Sequence, residues 1–176
     1  MKTLDEALGY KKAIVVWGRM NPMTKAHEAL LSFAESESKK SKSKLFIFLT
    51  KTQDNKKNPL EYKQKLKYVL SAVPRLNRNV VRNPNIRTVI QAFELLSKKG
   101  FTHVSIVLGS DRVDEFRFLE KYIGTDTLES IQKVDYLQFG KARDADSVSA
   151  TQMRQFAIKG KFKEFSLMAP SGLSKS

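Results

Sequence analysis

The chain has 176 residues, the size of one domain, and its 49 Leu, Ile, Val and Phe residues exceed the roughly 20% below which a chain struggles to bury a core. Disorder over most of its length is therefore excluded, and the absence of cysteine excludes disulfide scaffolds, Cys-ligated zinc and thiol catalysis. Lys and Arg outnumber Asp and Glu by 32 to 18, a net +14 beyond the ~2 to 8 that solubility asks of a small domain, so a negatively charged partner is expected: a polyphosphate nucleotide, a nucleic acid or an anionic membrane.

In chain order, short apolar runs alternate with helical patterns, the arrangement that builds a parallel sheet covered by helices. Residues 13–17 form a compact apolar run ending at Gly18, and Ala26, Leu30, Phe33 and Ala34 then recur at helical spacing. A polar KKSKSK stretch at 39–44 precedes a second apolar run at 45–49. Pro59 suits the first position of a helix through Leu66, Val69, Leu70 and Val73, which Pro74 stops. Residues 79–82 read as a short third strand, and a helix carrying Val89, Ala92, Phe93 and Leu96 closes at Gly100. The run at 103–108 suits a strand buried on both faces. A helix over 111–119, a fifth strand over 134–139 and a helix over 151–158 complete the expected series. The reading is an α/β fold, a Rossmann-like five-stranded parallel sheet of order 3-2-1-4-5 with helices on both faces. One domain spans 1–170 and a loose tail 171–176.

No apolar run approaches the ~20 residues of a membrane-spanning helix, so no membrane partner is expected. The start carries Asp5 and Glu6 and leads into no signal-peptide core, which predicts a cytoplasmic protein.

In open α/β sheets ligands bind beyond the carboxyl ends of the strands, where the strand order reverses. The first strand empties into Gly18-Arg19-Met20-Asn21-Pro22-Met23-Thr24-Lys25-Ala26-His27. Thr24 reads either as a plain N-cap with His27 in the first helical turn, or as part of a phosphate site at that helix start with His27 donating to the phosphate. Near the chain's end, Ser149 and Gln152 have the S-x-x-Q spacing of a capping box, a sufficient structural reason for both. Arg154 is not explained by that box; with Ser149 and Thr151 it makes a second anion clamp.

GRMNPMTKAH at 18–27 resembles the G-[RST]-F-x-P-x-[HT]-x-G-H stretch of the nucleotidylyltransferase superfamily, and VSATQMR at 148–154 resembles its I-S-x-T-x-x-R stretch. Gly109-Ser110-Asp111, after the fourth strand, is similar to the family as well. The resemblance covers about residues 12–160. Arg19 makes the first stretch most similar to nicotinamide-mononucleotide adenylyltransferases, while TQDNKKNPL and GKFKEF resemble bacteriophage-encoded members. Ala26 stands where the family has glycine, and its methyl group narrows the approach to a nucleotide.

The resemblance implies transfer of a nucleoside monophosphate, AMP before CMP, from the triphosphate to a phosphate-bearing acceptor such as nicotinamide mononucleotide, with release of pyrophosphate. It assigns His27, Thr24 and Arg154 to catalysis, and Gly18, Arg19, Met20, Asn21, Gly109, Asp111, Ser149 and Thr151 to the nucleotide. ATP is the expected substrate. Mg²⁺ is held mainly by the triphosphate, so no protein metal ligand is expected. Homo-oligomerisation stays open.

A second function class comes from the ten lysines between Glu37 and Lys67, which face only Glu37, Asp54 and Glu61, a local +7. They suit a nucleic-acid-binding or particle-associated protein that keeps the fold without catalysis. The segment has few aromatic residues for bases to stack on, so only weak, nonspecific nucleic-acid binding is expected.

Overall fold

The computed structural model describes residues 4–140 and 149–173. Four parallel strands, β1 (Lys12–Gly18), β2 (Lys44–Leu49), β3 (His103–Gly109) and β4 (Lys133–Phe139), lie side by side in the order β2-β1-β3-β4. Side chains alternate faces along a strand, and here both faces are apolar. On one face Ala13, Val15, Phe46, Phe48, Val104 and Ile106 pack against Val89, Ala92, Phe93 and Leu96 of a helix spanning Val89–Lys98. On the other, Ile14, Val16, Leu45, Ile47 and Val107 pack against Leu31 and Ala34 of a helix at Lys25–Lys40 and Val69 and Ala72 of one at Tyr62–Ala72. With a short opening helix α1 (Leu4–Ala7), these become α2 (Lys25–Lys40), α3 (Tyr62–Ala72) and α4 (Val89–Lys98).

Among the described residues the sheet has four strands, not the expected five. Residues 79–82 lie at the predicted outer edge but make a single bridge, Val80 to Ile47, with Val81 N–H donating to the Ile47 carbonyl. The Asn79 side chain supplies what a ladder would, its amide donating to the Leu45 carbonyl at 3.1 Å. A 3₁₀ turn (Pro74–Asn79) leads in and Pro84 follows closely, so too little extended chain is left to pair.

Three other expectations shift. The helix predicted from Pro59 starts at Tyr62, because the Glu61 and Gln64 side chains form a capping box there and Leu60 is tied to Asn21. The predicted 111–119 helix is broken into a 3₁₀ turn (Ser110–Arg112), a four-residue α5 (Val113–Phe116) and a second 3₁₀ turn (Arg117–Tyr122). Past α6 (Ala150–Ile158), an unforeseen α7 (Phe162–Met168) folds back against it. Of the expected loose tail 171–176, Ser171 is bonded to the Glu28 carboxylate and Leu173 packs on the α2/α3 core. A side chain at Gly172 would strike the Ala72 carbonyl at 2.6 Å. Residues 174–176 lie outside the described residues. No helix among the described residues is long and apolar enough to cross a membrane.

Lys65, on the inner face of α3, is fully buried and donates to the Thr50 carbonyl and, at 3.3 Å, to its hydroxyl. Burial lowers its pKa from 10.5 to about 8. Between those values the unfolded chain holds a proton that the folded chain has released, so stability should rise with pH by up to about 3 kcal/mol. Chemical denaturation from pH 7 to 10.5 should show that rise in the native sequence and lose it in Lys65→Met. An unchanged slope in the variant would assign it to other groups.

Candidate active site

The chain passes from β1 to β2 on one side of the sheet and reaches β3 on the other, so the strand order reverses between β1 and β3. A cleft of about 280 Å³ opens there, above Gly18 and Gly109 at the carboxyl ends of those strands. Trp17, Leu30, Leu108 and Phe139 make its apolar wall. The polar wall is built from the β1–α2 turn and the start of α6.

Each of those two helix starts is fixed by a capping box. At α2 the Thr24 hydroxyl accepts the His27 N–H at 3.3 Å, and the His27 ring closes the box with Nδ1 accepting the Thr24 N–H at 3.0 Å. Histidine takes the place usually held by Glu or Gln. Because a backbone N–H points at Nδ1, that nitrogen carries no proton, and the ring's proton sits on Nε2. The local fold thus sets both the orientation and the tautomer of a histidine lining the cleft. Thr24 is 1% exposed, and its hydroxyl accepts the capping N–H and lies 3.0 Å from His27 Nδ1, so it helps to orient the ring.

At α6, the Ser149 hydroxyl accepts the Gln152 N–H at 3.1 Å and the Gln152 side chain accepts the Ser149 N–H at 3.3 Å, as the S-x-x-Q spacing predicts. Ala26, Ala150 and Thr151 line the cleft from the first turns of α2 and α6, where helix amides have no intrahelical acceptor. Two helix N-termini with their partial positive charges therefore meet one space.

Arg154 spans the two. One guanidinium nitrogen donates to the Asn21 carbonyl at 2.6 Å, the other to the Thr151 hydroxyl at 3.0 Å. Burial and then the neighbouring Arg19 cation lower its pKa, while Asp54 raises it. Two guanidinium groups drawn together at one cleft make a site that an anion relieves.

The other predicted residues divide. Asn21 is buried and its side chain pairs with both backbone groups of Leu60 at 3.0 and 3.1 Å, so it offers the cleft only backbone. Met20, at a left-handed φ of 45°, is buried with its side chain lying 3.1 Å from where a Cβ on Gly18 would stand. A side chain at Gly18 would press on the flexible end of Met20, which would have to give by a few tenths of an ångström, and Met20 too presents only backbone. Asp111 lines the cleft from a 3₁₀ turn, not as an N-cap, and a Cβ on Gly109 would meet its carboxylate at 2.9 Å. Ala26 is exposed on the cleft wall. Residues 141–148, including the Val148 of the second motif, lie outside the described residues.

Two charged lining residues were not assigned to the site from the sequence. Arg112 reaches the cleft while bonded to Glu115 at 3.0 Å. Lys57 is delivered by a tight loop in which Asp54 accepts the backbone N–H groups of Lys56, Lys57 and Asn58 and the Asn58 side-chain amide. The Lys57 N–H, the Asn58 amide and the Lys56 N–H hold the Asp54 carboxyl well below the usual carboxylate range. The run Asp54-Asn55-Lys56-Lys57-Asn58, an aspartate opening a short polar loop, is the readable signal of such a turn.

A parallel α/β sheet with a cationic cleft at its switch point defines a Rossmann-like domain whose site suits a phosphate-bearing ligand. The chain belongs to the Cytidylyltransferase-like family, whose model matches residues 15–156. Its fold is similar to that of Plasmodium falciparum nicotinic acid mononucleotide adenylyltransferase. The complex of that protein with NaAD superposes with a TM-score of 0.64 at 12% identity, covering 94% of each chain. Its complex with APC gives 0.55 at 13% identity, covering 84% of each. A Vibrio parahaemolyticus protein provisionally assigned as a nicotinate-nucleotide adenylyltransferase gives 0.56 at 17% identity, covering 94% of this chain and 97% of that one. No curated protein sequence matches.

Proposed function

We propose that this protein is a nucleotidylyltransferase that moves AMP from ATP to a phosphate-bearing acceptor. The observation that carries the reading is the convergence of two capped helix starts, Arg19 and Arg154 on one cleft at the switch point of the sheet. The adenylyl choice is supported by Arg19 and by the nucleotides named with the structural neighbours, NaAD and APC. A pyridine mononucleotide is the first acceptor to try.

In the proposed reaction an acceptor phosphate oxygen attacks the α-phosphorus in line. The new P–O bond forms as the bond to the bridging oxygen breaks, and pyrophosphate leaves with that electron pair. No covalent enzyme intermediate is required, so positioning and charge stabilisation are the enzyme's work. The Nε2–H of His27 is the donor suited to the α-phosphate and its bridging oxygen. Free amides at the start of α6, with Thr151 and Arg154, suit the outer phosphates, and Arg19 and Lys57 suit the triphosphate or the acceptor phosphate. Among the described residues no three His, Cys, Asp or Glu side chains gather as a metal cage, and Asp111 is the single carboxylate lining the cleft. We read Mg²⁺ as an ion arriving with the triphosphate, whose charge it partly neutralises.

The lysine-rich segment lends little to the nucleic-acid alternative. Lys39 and Lys40 are paired with Glu35 and Glu37, Lys51 donates to the carbonyls of Asn83 and Ile86, Lys65 is buried and Lys57 faces the cleft. One sequence block is thus dispersed over several sites. The decisive test is a pyrophosphate-release screen pairing each nucleoside triphosphate with a panel of phosphate-bearing acceptors, with calorimetric titration of each triphosphate plus Mg²⁺. Release with ATP and one acceptor, and tighter binding of ATP than CTP, are expected. Tighter CTP binding would reassign the base, and no heat or release with any triphosphate would overturn the reading.

A further inference from the structure

We propose that the apolar groove between α3 and the α6–α7 hairpin docks an acidic, amphipathic helical segment of a partner protein. The groove, about 370 Å³, runs between Leu60 and Tyr68 on one side and Met153, Phe162 and Phe165 on the other. Its capacity suits two or three large apolar side chains, the anchors that a helix presents at i, i+3/i+4 and i+7. The hairpin is unusually apolar on its outside as well: Ile158 is 85%, Phe162 78% and Leu167 63% exposed. α7 buries no residue of its own, although Phe162, Phe165 and Met168 recur at helical spacing. Among the described residues nothing covers these apolar side chains of α7.

Arg154 in the lining and the cationic segments that build the groove select the cover. The segments 59–70 and 150–173 that build it carry Lys63, Lys67, Arg154, Lys159, Lys161 and Lys163 at exposed or half-exposed positions, against Glu61 and Glu164. Lys161 and Lys163 flank Phe162 directly, and Lys67 precedes Tyr68. A second copy of this chain would bring these cations, and its own +14, against each other. A bilayer would meet the outward-facing Ile158 and Leu167 and is kept as a rival probe. A single strand of nucleic acid would answer the charge, but most of the lining is aliphatic and offers bases little to stack on beyond Tyr68, Phe162 and Phe165. An acidic helix with aliphatic and aromatic anchors answers both the shape and the charge. This inference does not rest on the proposed reaction, although Arg154, Pro22 and Met23 belong to the groove and to the elements of the cleft.

The test uses the whole protein and a fluorescein-labelled peptide of about 18 residues with Leu and Phe at i, i+3/i+4 and i+7 positions and Glu on the flanks, read by anisotropy. Saturable binding is expected, and a scrambled peptide of equal composition should bind far less. Phe162→Ser, and separately the pair Lys161→Glu and Lys163→Glu, should each weaken binding at least about tenfold, with the circular dichroism melt unchanged. Oligothymidine and phosphatidylserine vesicles serve as rival probes. The proposal is overturned by absent peptide binding, by equal binding of the scrambled peptide, by indifference to Phe162→Ser, or by a rival probe that binds more tightly and responds to the same variants.

Discussion

Replacing His27 by alanine should lower turnover at least about 100-fold, the loss typical of removing one donor that faces developing charge. The same change removes the side-chain half of the α2 capping box, so a stability loss of about 0.5–1 kcal/mol should accompany it. Those effects can be separated, because the box asks only for an acceptor opposite the Thr24 N–H. Gln is the ordinary residue for that task. His27→Gln should therefore melt close to the native protein yet remain about as inactive as the alanine variant, since its amide cannot place a donor where Nε2–H stands. Steady-state pyrophosphate release and thermal melts on the three proteins decide the matter. If His27→Gln keeps near-native turnover, His27 is a helix cap and no more, and the reading of the cleft fails at its centre.

The strands were legible for one physical reason: strands covered on both faces are apolar on both, so β1, β3 and even the edge strand β2 read as mainly apolar runs bounded by polar loops or glycine. The residues at 79–82 carry the same kind of run, Val80 and Val81, but a 3₁₀ turn before them and Pro84 after them leave only one bridge. Pattern reports apolarity, not the length of chain free to pair. α7 escaped notice because nothing local announces it: Lys161 gives no side-chain cap, and Phe162 and Leu167 face outward instead of marking an inner stripe.

At the site, the pairing of Ser149 with Gln152 was readable because S-x-x-Q is a local rule, whereas the equivalent pairing of Thr24 with His27 hid behind an unusual residue at the closing position. The segments that resemble the family motifs line the cleft, but the tasks of the side chains within them are not contained in the spacing. Met20 and Asn21 sit inside the first motif, yet the turn and Leu60 use up their side chains. Lys57 lies outside both motifs, because an Asp54-centred loop, built from contacts three and four residues apart, aims it at the cleft. Such assignments depend on which neighbour claims a side chain first, and spacing alone does not contain that.

Arg154→Ala should weaken binding of a nucleoside triphosphate by about 10- to 100-fold, the equivalent of one charge-assisted hydrogen-bond pair, while binding of the corresponding monophosphate changes little. The asymmetry follows from its position. Arg154 rises from the start of α6, opposite the turn that carries His27, and its guanidinium bridges Asn21 to Thr151, so it is placed for the outer phosphates if His27 meets the α-phosphate. It also holds the two walls of the cleft together, and a modest loss of stability is expected when that bridge goes. Arg154→Lys separates the two roles. A lysine restores positive charge but not two donors in a fixed plane, so it should recover part of the triphosphate affinity and little of the bridge. Calorimetry of the native protein and both variants with ATP, AMP and pyrophosphate, each in Mg²⁺, measures all of this directly. Pyrophosphate should track ATP. Equal losses for ATP and AMP would mean that Arg154 acts only by shaping the cleft, and the assignment of the outer phosphates to α6 would have to be given up.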